Sequence, residues 1–151
     1  IQQYFPTKLF LNETAKKDSF SIEAKHAKII HLAMHTIIDN QKPMYSKLLF
    51  TYDSAVKNGV VNTYELLNMN LNADLAVLSG CSTGDGELQK GEGVMSLSTG
   101  FQYAGVPAIV MSLWEVNDKY GSLVIDDFYK YLARGLPKNQ SLHQAKLDVL
   151  S

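Results

Sequence analysis

The sequence predicts an α/β fold built on a largely parallel sheet. Three apolar runs, at residues 28–34, 74–79 and 108–113, have the length and composition of buried strands. Between these runs the apolar residues recur at helical spacing, so strands and helices alternate along the chain. At 151 residues the chain suits one domain that buries a substantial core.

The first half of the chain is predicted to contain strands at residues 7–11, 28–34 and 47–51 and helices at residues 14–24 and 63–67. Asn12 or Thr14 suits the N-cap of the first helix, and Asn62 suits the N-cap of the second, because their side-chain oxygens can accept backbone N–H groups. Residues 40–46 are expected to form a loop, and the Asn58-Gly59 pair indicates a turn.

In the second half, a strand at residues 74–79 leads into a loop rich in glycine. Five of the ten glycines lie between Gly80 and Gly93, which gives this loop unusual backbone freedom. A helix follows over residues 94–104, then a strand at residues 108–113 and a long amphipathic helix at residues 120–131. A last helix begins at about residue 142 and is expected to be cut short by the chain end.

Composition excludes several classes of function. The formal net charge is −1 and the basic residues are scattered, so no electrostatic footprint for nucleic acid is present. The apolar runs are too short to span a bilayer, and the first residues do not form a signal peptide. A single cysteine cannot form an internal disulfide, which fits a cytoplasmic protein. Because no initiator methionine is present, we expect a fragment of a longer protein.

Two reactive side chains follow two of the predicted buried strands. His35 ends the run at residues 28–34, and Cys81 follows the run at residues 74–79. Ligand sites form at the carboxyl ends of parallel strands, so these two side chains can meet in one crevice. A thiol and an imidazole together are the minimal parts of a cysteine nucleophile.

A structural role is also possible for both residues. A free cysteine is often a small buried residue, but Cys81 lies in a Gly/Ser/Thr/Asp loop without apolar neighbours, which favours a reactive thiol. A lone histidine after an apolar strand is more often structural than catalytic, and His31 could be buried behind its strand.

Metal and phosphate sites are disfavoured. His31 and His35 would stand more than about 12 Å apart on a strand, and no further Cys or His clusters nearby, so no metal site is expected. The glycine-rich loop matches neither a Walker A nor a dinucleotide fingerprint, and its acidic residues would repel phosphate. No cofactor is predicted.

A third segment, residues 112–118, follows the strand at residues 108–113 and ends at the same edge of the predicted sheet. It carries Ser112, the single tryptophan Trp114, and Asn117-Asp118. Asn117 or Asp118 can serve as the N-cap of the next helix. Trp114 could form an apolar wall beside Cys81 and His35, and Asp118 could supply a negative charge.

These segments resemble the CHAT domain, a family of caspase-like cysteine peptidases of clan CD related to separase. The resemblance covers residues 7–150 and consists of six motifs in the family's order. They are His-Leu-Ala-Met-His at 31–35, Leu-Ser-Gly-Cys-Ser-Thr-Gly at 78–84, Gly-Glu-Gly-Val at 91–94, the Leu-to-Phe segment 97–101 with Ala-Gly at 104–105, Ser-Leu-Trp-Glu-Val-Asn-Asp at 112–118, and Phe-Tyr at 128–129. His35 precedes Cys81 by 46 positions, close to the spacing of caspase-type enzymes.

The resemblance implies a caspase-like three-layer sandwich over residues 1–151, with helices on both faces of a mostly parallel sheet and without the family's last strand. It also implies a thiol protease that hydrolyses peptide bonds with a His35–Cys81 dyad. The backbone N–H groups of Thr36 and Cys81 would hold the oxyanion. A protein or peptide substrate would lie extended beside Ser112 and Trp114, with Asp118 or Asp85 favouring a basic residue. Upstream helical repeats or a regulatory partner are expected to activate the enzyme.

Two alternatives remain open. The domain could be catalytically silent and serve as a protein-interaction or signalling module, an alternative favoured by Thr36, because the family usually has glycine after the histidine. The same dyad could instead carry out another acyl transfer on a small molecule.

Overall fold

The structure, a computed structural model, describes residues 1–54, 58–80, 92–113 and 116–150, and of residues 92–95 only the backbone. The chain divides into two compact units. The larger is Phe10–Glu115, and the smaller combines Ile1–Leu9 with Val116–Ser151. The strands are β1 (Ile29–Leu32), β2 (Thr36–Ile37), β3 (Lys47–Asp53), β4 (Asn58–Asn62), β5 (Leu75–Leu78) and β6 (Ile109–Met111). The helices are α1 (Lys17–Glu23), α2 (Thr63–Leu66), α3 (Glu92–Tyr103), α4 (Asp118–Ala133) and α5 (Lys138–Leu150).

A three-stranded parallel sheet forms the centre of the larger unit. Its strand order is β1-β5-β6, and every residue of the middle strand β5 is buried. All three strands lie within apolar runs from which the sequence predicts strands, and β5 is apolar throughout because a strand buried on both faces needs apolar side chains at consecutive positions. The parallel α/β character predicted from the sequence is therefore confirmed.

A second sheet, antiparallel and in the order β2-β3-β4, was not predicted in full. The expected strand at residues 47–51 is present as β3, but its two partners were missed. The turn predicted at Asn58-Gly59 is wrong, since these residues begin β4. A Cβ on Gly59 would lie 2.9 Å from the carbonyl oxygen of Phe50, so the glycine here permits close approach of the neighbouring strand.

One hydrophobic core joins the two sheets to the helices of the larger unit. The face of the parallel sheet that carries Ile30 and Leu32 packs into this core. Its other members come from α1, α2, α3 and the antiparallel sheet: Phe20, Leu66, Leu97, Phe101, Leu48 and Val61. Because β1 alternates, His31 lies on the opposite face from Ile30 and Leu32.

The amino-terminal prediction needs two corrections. Residues 7–11 form no strand, and Leu9 and Leu11 are exposed, so the segment gains neither a partner strand nor burial. The first helix begins at Lys17 without a side-chain cap. The reason is that Thr14 bonds back to the backbone of Leu11 and closes a separate 3-10 turn before the helix.

Asn62 is the N-cap residue of α2, as predicted, but its side chain donates to Glu65 rather than accepting a backbone N–H. The Glu65 carboxylate accepts the backbone N–H of Asn62 at 2.9 Å and the Asn62 side-chain amide at 2.9 Å. The ammonium group of Lys17, from α1, pairs with the other carboxylate oxygen. This pair therefore links two helices that are 48 residues apart in the sequence.

The smaller unit is an antiparallel pair of helices with the amino-terminal segment. Asn117 caps α4 by accepting the backbone N–H of Lys119 at 3.1 Å, as the sequence predicts for this position. Gln3 and Tyr4 both donate to the carboxylate of Asp126. Gly135 ends α4 at φ +87°, and its N–H donates to the carbonyl of Leu132.

Among the helices that the structure describes, none is long and apolar enough to cross a membrane.

Candidate active site at the ends of the parallel strands

The candidate site lies where β1 and β5 end, and the register of these two strands defines it. Leu32, the last residue of β1, pairs with Leu78, the last residue of β5, 46 positions later. The backbone N–H of Ser79 then donates to the carbonyl of Leu32 at 3.0 Å, so contact continues beyond the paired residues. His35 and Cys81, the predicted dyad, are separated by the same 46 positions.

The segments that follow β1 and β5 are still in backbone contact at Met34 and Gly80. A Cβ built on Gly80 would lie 1.7 Å from the carbonyl oxygen of Met34, a distance that no side chain can occupy. Met34 immediately precedes His35, and Gly80 immediately precedes Cys81. The described backbone therefore keeps the offset of 46 up to the residue before each member of the predicted dyad.

His35 lies between β1 and β2 and has an exposed side chain. Its carbonyl oxygen accepts the N–H of Leu49 at 3.1 Å, which fixes its backbone to β3. The next residue, Thr36, is buried and opposes Leu48 in the antiparallel sheet. The site histidine is thus presented to solvent from a backbone that is held on both sides by sheet.

A second polar pair lies directly behind the strand ends. The Nε2 atom of His31, in β1, is 2.7 Å from the hydroxyl oxygen of Ser79, just after β5. His31 is half-buried, and burial lowers its pKa from 6.5 to about 4. The imidazole is therefore neutral at pH 7, with one protonated ring nitrogen and one that can accept a hydrogen bond.

Of the remaining predicted site residues, the structure describes Ser112 and Asp118. Ser112 is exposed and directly follows β6, whose Met111 pairs with Leu78, so it lies at the same edge of the parallel sheet. Cys81, Asp85 and Trp114 lie outside the described residues. Asp118 is the first residue of α4, where an acidic residue interacts favourably with the helix dipole. Asp118 belongs to the smaller unit, and its role toward substrate stays a prediction.

No group of three or more His, Cys, Asp or Glu within the described part of the chain could hold a metal ion.

The sequence did not predict the bond between His31 and Ser79; it suggested only that His31 could be buried and that a metal pair with His35 was disfavoured. The sequence does contain information that pairs these two residues, but it can be used only when the register between β1 and β5 is known. His31 opposes Val77, and Ser79 lies two residues further along, on the same face of the sheet. Without the offset of 46, the sequence offers no reason to pair these two side chains.

Comparison with known proteins agrees with the motifs. The family model of the CHAT domain matches residues 1–151, the whole chain. A stretch of 87 residues, 58% of the chain, is 30% identical to Tetratricopeptide repeat protein 28 from Mus musculus. The match spans about 4% of the length of that relative. Because the family model matches residues 1–151, the chain belongs to the CHAT domain family, which is related to the caspase-like peptidases.

Proposed function

We propose that this chain is a cysteine-type endopeptidase domain whose dyad is His35 and Cys81. The observation that carries the proposal is the shared register of β1 and β5. Both residues come three positions after a paired strand residue, and the backbones of Met34 and Gly80 touch just before them. A chain folded this way is suited to deliver an imidazole and a thiol to one crevice.

In the proposed reaction the Cys81 thiolate attacks the carbonyl carbon of the scissile peptide bond. His35 accepts the thiol proton and donates it to the leaving amine, which departs and leaves an acyl-enzyme. His35 then takes a proton from water, whose oxygen attacks the thioester, and the proton returns to the sulfur as the acid product leaves. The exposure of the His35 side chain supports this role, because a general base must reach both substrate and water.

The geometry of β2 supports Thr36 as one of the two oxyanion donors. Leu49 donates to the carbonyl of His35, so the pair of Thr36 and Leu48 is the non-hydrogen-bonded kind. The backbone N–H of Thr36 is therefore directed away from β3 and is not used in that pairing. A β-branched residue suits an extended strand, so threonine in place of glycine is compatible with this backbone role.

The substrate is proposed to be a protein or peptide bound in an extended conformation past the end of β6. The exposed backbone at Ser112 would pair with it, and Trp114 would provide an apolar wall. A basic residue before the scissile bond is the specificity that the family resemblance implies, with Asp85 or Asp118 as the counter-charge. Substituting each aspartate by asparagine and comparing cleavage after arginine with cleavage after norleucine would assign the counter-charge.

The dyad is tested with a peptidyl acyloxymethyl ketone carrying arginine next to the electrophile, which alkylates an activated thiol. We expect labelling of the wild-type chain, no labelling of Cys81→Ala, and labelling at least about a hundredfold slower for His35→Ala. His26→Ala, at an exposed histidine after α1, is the matched control and should label at the wild-type rate. Equal labelling of His35→Ala and His26→Ala would contradict the dyad.

A second candidate function is a silent CHAT domain that acts as a protein-interaction module. Thr36, at the position where the family usually has glycine, favours it. The similarity to Tetratricopeptide repeat protein 28 supports helical repeats as neighbours of this domain in its parent protein. In either case we infer that residues 1–151 form one domain with a caspase-like sandwich and that the protein is cytoplasmic. Labelling in the parent protein, lost on Cys81→Ser, would favour the enzyme; no labelling there would favour the module.

A further inference from the structure

We propose that His31 and Ser79 are positioning residues, whose hydrogen bond holds the ends of β1 and β5 in the register that the dyad requires. The inference deepens the proposed function and rests on it. Neither residue is proposed to touch substrate. Their role is to fix the two backbone segments, 33–34 and 79–80, that lead into His35 and Cys81.

The location of the bond is the first argument. The distance of 2.7 Å between His31 Nε2 and Ser79 Oγ is short for a nitrogen–oxygen hydrogen bond and indicates a well-formed contact. It crosses from β1 to the residue directly after β5, and Ser79 is two positions before Cys81. A side-chain bond here restrains the chain at the point where the regular ladder stops.

The second argument concerns the two faces of the sheet. Ile30, Leu32 and Leu78 secure one face against the hydrophobic core. His31 is on the other face, where it pairs with the fully buried Val77, so its bond to Ser79 adds a directional restraint to the apolar burial there. Apolar packing is non-directional and tolerates small shifts, whereas a hydrogen bond fixes position along the strand.

The protonation state of His31 fits a positioning role. Because burial keeps this imidazole neutral near pH 7, His31 adds no positive charge to the strand ends. The charge that stabilises the Cys81 thiolate then comes from His35, and the effect of His31 on the thiol is indirect. A substitution at His31 or Ser79 should therefore act by weakening the interaction between His35 and Cys81.

The test follows the rate at which iodoacetamide alkylates the intact chain between pH 5 and pH 9. The chain contains a single cysteine, so the rate reports Cys81 alone and its pH profile gives the apparent pKa of that thiol. Ser79→Ala removes the bond. Ser79→Thr retains the hydroxyl. His31→Phe removes the bond from the other side while keeping a planar ring.

We expect Ser79→Ala and His31→Phe each to raise the apparent thiol pKa by roughly one unit, which slows alkylation about tenfold at a pH well below that pKa. The double variant should give no larger shift than either single variant, because both remove one interaction. Ser79→Thr should restore the wild-type profile. Ser141→Ala is the matched control, since it removes a buried serine hydroxyl that bonds to the backbone of Leu136 in the smaller unit.

His35→Ala separates failure of this inference from failure of the proposed function. If His35→Ala raises the thiol pKa while Ser79→Ala and His31→Phe behave like Ser141→Ala, the positioning role is wrong and the dyad stands. If His35→Ala leaves the thiol pKa unchanged, the dyad fails and the positioning role fails with it. All rates are measured well below the unfolding temperature of each variant, and the double variant identifies any shift that comes from general loosening, because such shifts would add.

Discussion

Gly80 lies so close to Met34 that a Cβ on the glycine would be 1.7 Å from the Met34 carbonyl oxygen. This contact joins the ends of two strands that are far apart in the sequence. It also explains why glycine is required in a position where its backbone dihedral angles alone do not demand it. The cost of a side chain here is steric, so the backbones of β1 and β5 would have to separate.

We expect Gly80→Ala to lower the free energy of unfolding by at least about 2 kcal/mol, because the displaced neighbour is backbone and cannot rotate away. Urea denaturation followed by circular dichroism measures the change. Ala33→Ser, at the exposed residue next to Met34, is the control and should change stability by less than about 0.5 kcal/mol. Equal stability of Gly80→Ala and the wild-type chain would show that the strand ends can part freely.

Gly135 offers a contrast, because a Cβ there would meet nothing within 4 Å but φ is +87°. Gly135→Ala should cost about 1 kcal/mol through the left-handed backbone alone. Gly121→Ala, inside the same helix, should instead raise stability by roughly 0.5–1 kcal/mol, since its Cβ would lie in ordinary contact with Val116. Thermal unfolding of the two variants should therefore move in opposite directions.

His31 is expected to make stability depend on pH. Its pKa is 6.5 in the unfolded chain and about 4 in the folded protein, so the unfolded state binds more protons between these values. The contribution of His31 to the free energy of unfolding is fully present above pH 6.5. It decreases as the pH falls toward 4, by at most about 3 kcal/mol. Urea titrations at pH 7.5 and 4.5 should show a smaller decrease for His31→Phe than for the wild-type chain. His26→Gln, at an exposed histidine, should retain the wild-type decrease.

The half-buried pair of Lys17 and Glu65 should contribute measurably to stability. Burial alone would raise the pKa of Glu65, but hydrogen bonds from Asn62 and Lys17 outweigh it and lower the pKa. Glu65→Gln should cost about 1–2 kcal/mol at pH 7, a difference that shrinks below pH 4 as the wild-type carboxylate becomes protonated. Asp74→Asn is the control, because Asp74 meets Lys28 at 4.0 Å in an exposed pair that should contribute little. Similar losses for both variants would contradict this assignment.

The parallel sheet could be predicted because each of its strands lies in a largely apolar run of strand length, and β5 is apolar at every position. The antiparallel sheet could not be predicted in full, because β2 has only two residues and exists through its pairing with β3. Asn58-Gly59 has the composition of a turn, and only the close approach of Phe50 explains its place in a strand. In each case a contact distant in sequence overrides a local preference.

For the site, the sequence predicted which strand ends carry the histidine and the cysteine, since each follows an apolar run. It could not predict the contacts that support them. The bond between His31 and Ser79 and the close approach of Gly80 to Met34 depend on how β1 and β5 align, and alignment is a property of the fold. The family resemblance suggested the backbone N–H of Thr36 as an oxyanion donor, but only the pairing of β2 with β3 shows in which direction this N–H points.

The equal offset of the two strands also limits how this family can change over evolutionary time. Between Leu32 and His35, and between Leu78 and Cys81, the chain has the same number of residues. Identities at residues 33 and 34 are free to drift within the limits of packing, but a single insertion in one segment would break the register that the proposed dyad of His35 and Cys81 requires. Insertions and deletions should therefore be rare in these two short connections, and where one occurs in a relative, a matching change in the other connection should accompany it.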